Sequence, residues 1–193
     1  MPRLTPPAIT PGSISRHPQP VLSVDGLVLR PWRADDAGAV VTAYADPGIR
    51  RWHDRSMSPE EADAWVAQWT DRWQTETGAG WAVTLDDAPV GQISLRKFEH
   101  GDGVSEVSYW VLPVARGRGV ATTALRTVAA WAFDVAAVHR IEVDHSTGNP
   151  SSCAVATRAG FRLEGTKRGT ALHADGWHDM HLHARVQGDP DVS

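Results

Sequence analysis

Apolar positions along the chain follow two periods, and the change between them marks strands and helices. Val21 to Arg30 alternates as a first strand, with Asp25-Gly26 as a turn or bulge. Asp35-Asp36 then caps a helix through Tyr44, which Asp46-Pro47-Gly48 stops. Ile49-Arg50-Arg51-Trp52 opens a short second helix or irregular segment. Ser58-Pro59-Glu60-Glu61 starts a stronger one: Ser58 as N-cap, Pro59 in the first position, Glu61 closing a capping box. Along that helix Trp65, Trp69 and Trp73 fall four apart and share one face, as core or as the wall of a groove. Period two returns in Trp81 to Leu85, Val90 to Phe98 and Val104 to Leu112, an antiparallel meander turning at Asp86-Asp87-Ala88-Pro89.

Helical spacing resumes with Val120, Ala121, Ala124, Leu125, Val128 and Trp131. His139 to Asp144 is a strand. Asn149-Pro150 caps a short helix through Ala159, Gly160 supplies its left-handed stop, and Phe161 packs back. Strands at about Phe161 to Thr170 and Asp179 to Val186 follow, joined around Asp175-Gly176. The expected architecture is one α/β (α+β) domain over residues 21–186. Residues 1–20, with six of the thirteen prolines, read as a disordered or extended lead, and residues 187–193 as a flexible tail.

Composition narrows the class. Hydrophobic residues make up 41% and charged residues 22%, ordinary for a soluble globular chain. No apolar run is long enough to span a membrane, and a net charge of -4 argues against a nucleic-acid-binding surface. The single cysteine, Cys153, excludes an internal disulfide and fits a reducing, cytoplasmic setting.

The candidate chemistry centres on Tyr109 to Trp131. A strand ends at Pro113, the loop Arg116-Gly117-Arg118-Gly119 follows, and a helix begins at Val120. Glycines allow close backbone approach, first-turn N–H groups lack partners, and the helix dipole favours negative charge, so the loop is an anion cradle for a phosphate or pyrophosphate. A Walker A loop needs Lys-Ser or Lys-Thr where Val120-Ala121 stands. A dinucleotide fingerprint fails at Thr122, although Asp144 could imitate its ribose-binding acid; the meander before the loop also counts against a doubly wound fold.

The remaining pattern, Arg116, Gly119 and Ala121 in R-x-x-G-x-A, resembles the acetyl-coenzyme A pyrophosphate loop of the GNAT acetyltransferase superfamily. Further phrases in the same order resemble its RimJ/RimL-type branch: Leu29-Arg30-Pro31 with Asp35-Asp36, Glu106 to Val111, and Asn149-Pro150-Ser151-Ser152 followed by Gly160-Phe161, Glu164-Gly165 and Asp179. The branch often carries Glu-Ala after the loop, where this chain has Thr123-Ala124.

The resemblance implies a GNAT fold, a mostly antiparallel, splayed mixed sheet flanked by helices. It implies acetyl transfer from acetyl-coenzyme A directly to a primary amine, with a protein or peptide N-terminal α-amine as preferred acceptor. The alternatives are a small-molecule amine, such as an antibiotic or polyamine, and a non-catalytic acyl-coenzyme A sensor; dimers are common in the branch. Backbone groups of Val111 and Leu112 would hold pantetheine and thioester. The amides of Gly117, Arg118, Gly119, Val120 and Ala121 would take the pyrophosphate, with charge from the side chains of Arg116 and Arg118. Asn149 would order pantetheine or a water, and Ser152 would protonate the departing thiolate, in place of the tyrosine of many relatives. Glu106 is the candidate base, with Glu99 and Asp102 as fallbacks.

Cys153 with His145 nearby suggests a nucleophile, but a lone cysteine among small residues reads as packing. His178, His181 and His183 suggest a metal, and His181 and His183 share a strand face. No matching third ligand stands out, so no metal is expected.

Overall fold

The computed structural model describes residues 4–190. Eight strands form one sheet: β1 (Leu22–Val24), β2 (Leu27–Pro31), β3 (Ala79–Leu85), β4 (Ala88–Glu99), β5 (Val104–Val111), β6 (Arg140–Ser146), β7 (Arg162–His173) and β8 (Gly176–Val186). The helices are α1 (Ala37–Ala45), α2 (Pro47–His53), α3 (Pro59–Gln74), α4 (Val120–Asp134) and α5 (Pro150–Arg158). The sheet order is β1-β2-β3-β4-β5-β6-β8-β7. Every pairing is antiparallel except β5 with β6, which run parallel. No described helix is long and apolar enough to cross a membrane.

Strand alternation gives the sheet two apolar faces. On one, Leu29, Trp81, Val83, Ile93, Val107 and Ile141 meet Val120, Leu125, Val128 and Phe133 of α4. On the other, Ala82 and Trp110 meet Val40 and Tyr44 of α1 and Val66 and Trp69 of α3. The Leu29-Arg30-Pro31 phrase has a packing reason. The Arg30 guanidinium is buried and makes a two-pronged contact with Asp36 at 2.7 and 2.8 Å. Asp36 also accepts the Arg33 N–H, turning the chain into α1. A buried charge is tolerable only when paired and hydrogen-bonded in this way.

Two expected caps are present: Ser58 accepts the Glu61 N–H while Glu61 accepts the Ser58 N–H, and Asn149 accepts the Ser152 N–H. Asp36 stands at the start of α1 as expected, but its carboxylate is taken by Arg30 and Arg33 and makes no cap hydrogen bond to that helix. Asp86 and Asp87, at φ 48° and 63°, form the tight β3–β4 turn, so β4 starts at Ala88 and includes Pro89. The last two strands are longer than the alternation suggested, reaching His173 and starting again at Gly176.

Two expectations need correction. The proline-rich lead, read as disordered or extended, is docked from Ala8 onward. Ile9 and Ile14 are buried, Ala8 and Ile9 donate to the carbonyls of Gly101 and His100, and the Glu76 carboxylate accepts the N–H groups of Gly12, Ile14 and Ser15. The indoles of Trp73 and Trp81 donate to His17 and Pro20 carbonyls. Two isoleucines and a buried carboxylate outweigh the proline composition. Residues 1–3 lie outside the described residues. In the tail, the Gln187 backbone N–H donates to His139 O, and its side-chain amide donates to Phe133 O of α4. Residues 191–193 also lie outside the described part.

Candidate active site

The site begins where two parallel strands part. β5 and β6 pair only from Val104 to Glu106 against Arg140 to Glu142. Beyond that point β5 stays on β4 while β6 follows β8, and the sheet opens into a cleft of about 980 Å³. On β5, Leu112 N donates to Val90 O, so alternate backbone groups face β4 and those of Tyr109 and Val111 face the gap. Consistent with this, Tyr109 O accepts from His53 Nε2 at 3.2 Å and Val111 O accepts from Arg116 Nε at 3.0 Å.

The glycine loop forms one rim. Gly117 and Gly119 both sit in the left-handed region, at φ 74° and 78°. Gly119 is the N-cap of α4 and brings no capping side chain, and no acidic residue occupies the first turn. The first amides of a 15-residue helix are thus left for an anion from outside. Gly117, Gly119, Val120 and Ala121 line the cleft, as does Thr122, which sequence reasoning did not single out.

Arg116 lines the cleft but differs from expectation in its partners. Its Nη2 lies 2.6 Å from Asp46 Oδ1, and its Nε holds Val111 O. Asp46 is also the N-cap of α2, and the Arg116 pairing lowers its pKa. Arg116 therefore clamps the loop to β5 and α2, with its charge matched inside the protein. Arg118 is exposed beside the loop.

Leu112 also differs from expectation. Its N–H is committed to Val90 O and its carbonyl to Ala115 N, so neither is left for pantetheine. Val111 and Tyr109 are the β5 residues that face the gap.

Ser152, in the first turn of α5, points across the cleft at Tyr109, with the two hydroxyl oxygens 2.7 Å apart. A tyrosine therefore stands beside the serine that was expected to act in its place. Tyr109 lies 43 residues away in sequence, but the α5 N-terminus brings Ser152 to it. Burial pushes the Tyr109 phenol up to about 12, against a smaller downward pull from Ser152, so it remains a proton donor at neutral pH. Asn149 lines the cleft, and its carboxamide oxygen is committed to the Ser152 amide.

Glu106 is not brought to the cleft. It is half-buried at the last paired position of the fork, opposite Lys97 on β4 and Glu142 on β6. The next residue, Val107, is the first of β5 to line the opening. Glu99 caps its own loop by accepting from Gly101 and Asp102 amides. His53 faces the gap instead; burial holds it at about 4, so it is neutral.

Across β5 from the loop, Trp52, Trp65, Trp69 and Tyr44 line the other half of the cleft with Arg55, Arg72 and Arg96. The tryptophan helix therefore divides its rings. Trp73 packs in the core, while Trp65 and Trp69 stack edge to face at 5.5 Å beside the cleft.

A sheet split between parallel neighbours, with an uncapped helix N-terminus on one side, defines an acyl-coenzyme A-binding fold. Comparison with known proteins agrees. A family model described as an acetyltransferase (GNAT) domain matches residues 26–162. YdaF of Bacillus subtilis (strain 168), named a putative ribosomal N-acetyltransferase, is 27% identical over 134 residues, covering 67% of this chain and 73% of that protein. The ribosomal-protein-serine acetyltransferase of Escherichia coli (strain K12) is 29% identical over 104 residues, 54% of this chain and 58% of that one. Among solved structures, RimL, a ribosomal L7/L12 alpha-N-protein acetyltransferase in complex with coenzyme A, superposes with a TM-score of 0.82 at 19% identity, covering 89% of this chain and all of that one. The chain belongs to the GNAT acetyltransferase family, in its RimJ/RimL-type branch, and is an acetyl-coenzyme A-dependent N-acetyltransferase.

Proposed function

We propose that this enzyme acetylates the N-terminal α-amine of a protein or peptide. The observation that carries this reading is the lining of the acceptor half of the cleft. Four aromatic rings and the side chains of Arg55, Arg72 and Arg96 face it, against Asp54 as the nearby acid. Three guanidinium groups repel a polyamine or a polycationic antibiotic, and those of Arg55 and Arg96 offer donors to peptide carbonyls, while Arg72 is held by the carbonyls of Thr77 and Arg96. Trp69 adds an indole N–H that is buried without a hydrogen-bond partner among the described residues. The ribosomal-protein acetyltransferases among its relatives support the same acceptor class.

The cofactor fits the rim across the cleft. The amides from Gly117 to Ala121 and the charge of Arg118 receive the pyrophosphate. Pantetheine runs along β5 with the thioester beside Val111, and Asn149 holds the opposite wall. Attack of the neutral amine on the thioester carbon forms the amide bond and breaks the carbon–sulfur bond. The amine gives up one proton and the thiolate takes one. Tyr109 donates to Ser152 Oγ, which frees the serine's own proton for sulfur. Glu106, just behind the cleft mouth, accepts the amine proton through water, because it lies one residue short of the lining.

Thiol release from acetyl-coenzyme A tests the reading, with a free N-terminal peptide, its N-acetylated form and spermidine as acceptors. The free peptide should turn over, the blocked one should not, and spermidine should saturate poorly; preference for spermidine overturns the acceptor assignment. Ser152→Ala and Tyr109→Phe should each lower kcat by about 100-fold or more, from the lower end of what general acid catalysis contributes. The double variant should cost no more than about the worse single one, as residues acting as a unit do. Glu106→Gln should lower kcat while leaving cofactor binding intact. Unchanged kcat in all of these refutes the proton path.

A further inference from the structure

At the β6 wall of the cleft, which His145 itself lines, stands a group of side chains that the acetyl-transfer scheme does not use. β6 and β8 pair so that His145 lies opposite His181. His183, two residues along β8, shares its face, and Cys153 descends from α5 to place Sγ 3.7 Å from His183 Nε2. One ligand atom from each of His145, Cys153, His181 and His183 lies within 4.8 Å of all the others. His145 is 5% exposed and His183 1%, so water does not solvate the group freely.

The hydrogen bonds at the back of the rings orient their lone pairs. His145 Nδ1 lies 2.8 Å from Ser146 O, and His183 Nδ1 lies 3.2 Å from Phe161 O. A carbonyl can only accept, so each Nδ1 carries the hydrogen and each Nε2 of the neutral ring presents a lone pair. Histidine ligands of metals are held by this same arrangement, with the far nitrogen donating to a carbonyl. Among the described residues, His145 Nε2 and His181 Nδ1 are buried without any hydrogen-bond partner. Buried polar atoms are normally satisfied, and two orphaned imidazole nitrogens beside a thiol call for a missing partner.

We propose that His145, Cys153, His181 and His183 form a tetrahedral site for a divalent transition-metal ion, with zinc as the preferred occupant. Three imidazoles and one thiolate suit zinc and exclude the oxygen-seeking magnesium and calcium. Metal–nitrogen bonds of about 2.0 Å and a metal–sulfur bond of about 2.3 Å set ligand separations of about 3.3–3.6 Å. The Cys153–His183 pair is close to that already, and the rest of the cluster contracts by about 1 Å on binding. The thiol loses its proton as the sulfur–metal bond forms, so one proton is released per ion. All four positions are filled by protein, which makes the site structural. It pins α5 to β6 and β8, and α5 carries Ser152 beside Cys153. The ion thereby fixes the wall that faces Tyr109. This inference does not depend on the acceptor.

Cobalt titration of the intact protein, stripped by chelator under reducing conditions, tests the site. The expected result is one equivalent bound, with intense tetrahedral d–d bands and a sulfur-to-cobalt charge-transfer band. Cys153→Ser should abolish the charge-transfer band, and His181→Gln should weaken the d–d bands. Zinc should raise the Tm of the wild type and leave Cys153→Ser nearly unmoved. The His181→Gln change keeps the test open should the cysteine variant fold poorly, because His181 is only half-buried. Cobalt spectra of octahedral aquo type, or equal tight binding by wild type and both variants, would overturn the proposal.

Discussion

Glu76 is the anchor of the docked lead segment, and its replacement by Gln measures how firmly that segment is held. The carboxylate is 5% exposed. It accepts from Gly12, Ile14 and Ser15 amides at 2.7 Å each and contacts His100 Nε2 at 2.9 Å. Burial alone would raise its pKa; the hydrogen bonds from Ser15, His100, Gly12 and Ile14 outweigh it and hold the group at about 2, from the ordinary 4.5. A drop of about 2.5 units corresponds to about 3 kcal/mol of folding stability. The folded value is depressed, so this stability is fully present above about pH 4.5 and is lost as pH falls toward 2. Gln keeps the size but turns an NH2 toward backbone N–H groups. Glu76→Gln should therefore cost about 2–3 kcal/mol at neutral pH, and lower Tm by about 5–10 °C. Urea unfolding of both proteins at about pH 7 and about pH 3 checks this, and the gap should shrink at the acidic end. Trypsin should also cut faster after the exposed Arg16 in the variant. Equal urea midpoints at neutral pH, or a gap that ignores pH, would refute the account.

Two further substitutions probe the cleft. A Cβ on Gly80 would lie 2.3–2.7 Å from ring carbons of Trp69, so Gly80→Ala must displace that indole. It should cost about 1–3 kcal/mol and raise KM for the peptide more than for acetyl-coenzyme A; equal effects on both would sever Trp69 from the acceptor. Arg116→Lys keeps the charge but not the fork that joins Asp46 to Val111 O. Arg116→Lys and Arg116→Ala should each raise KM for acetyl-coenzyme A about tenfold, whereas rescue by Lys would return Arg116 to a direct phosphate contact.

Features written between near neighbours could be read from the chain, and features written between distant ones could not. The Ser58 capping box, the Asn149 cap and the left-handed Gly160 at φ 87° each involve residues within a turn of one another. The same holds for the loop, where Gly117 and Gly119 take the conformations only glycine adopts freely. The Tyr109–Ser152 contact needed the position of α5 against β5, which no local period encodes. Alternation along β5 did hold part of the answer. Tyr109 and Val107 point to one face while Glu106, Ser108 and Trp110 point to the other, so Glu106 could not share a side with Ser152. The histidine cluster shows the same limit in a sharper form. His181 and His183 announce themselves two apart on one strand, but the third and fourth partners arrive through the β6–β8 register and the descent of α5. One residue of slippage between β6 and β8 would turn His145 to the other face. The register that sets β6 against β8 along the far side of the cleft also gathers three imidazoles at that wall, and a change that disturbs it should disturb both.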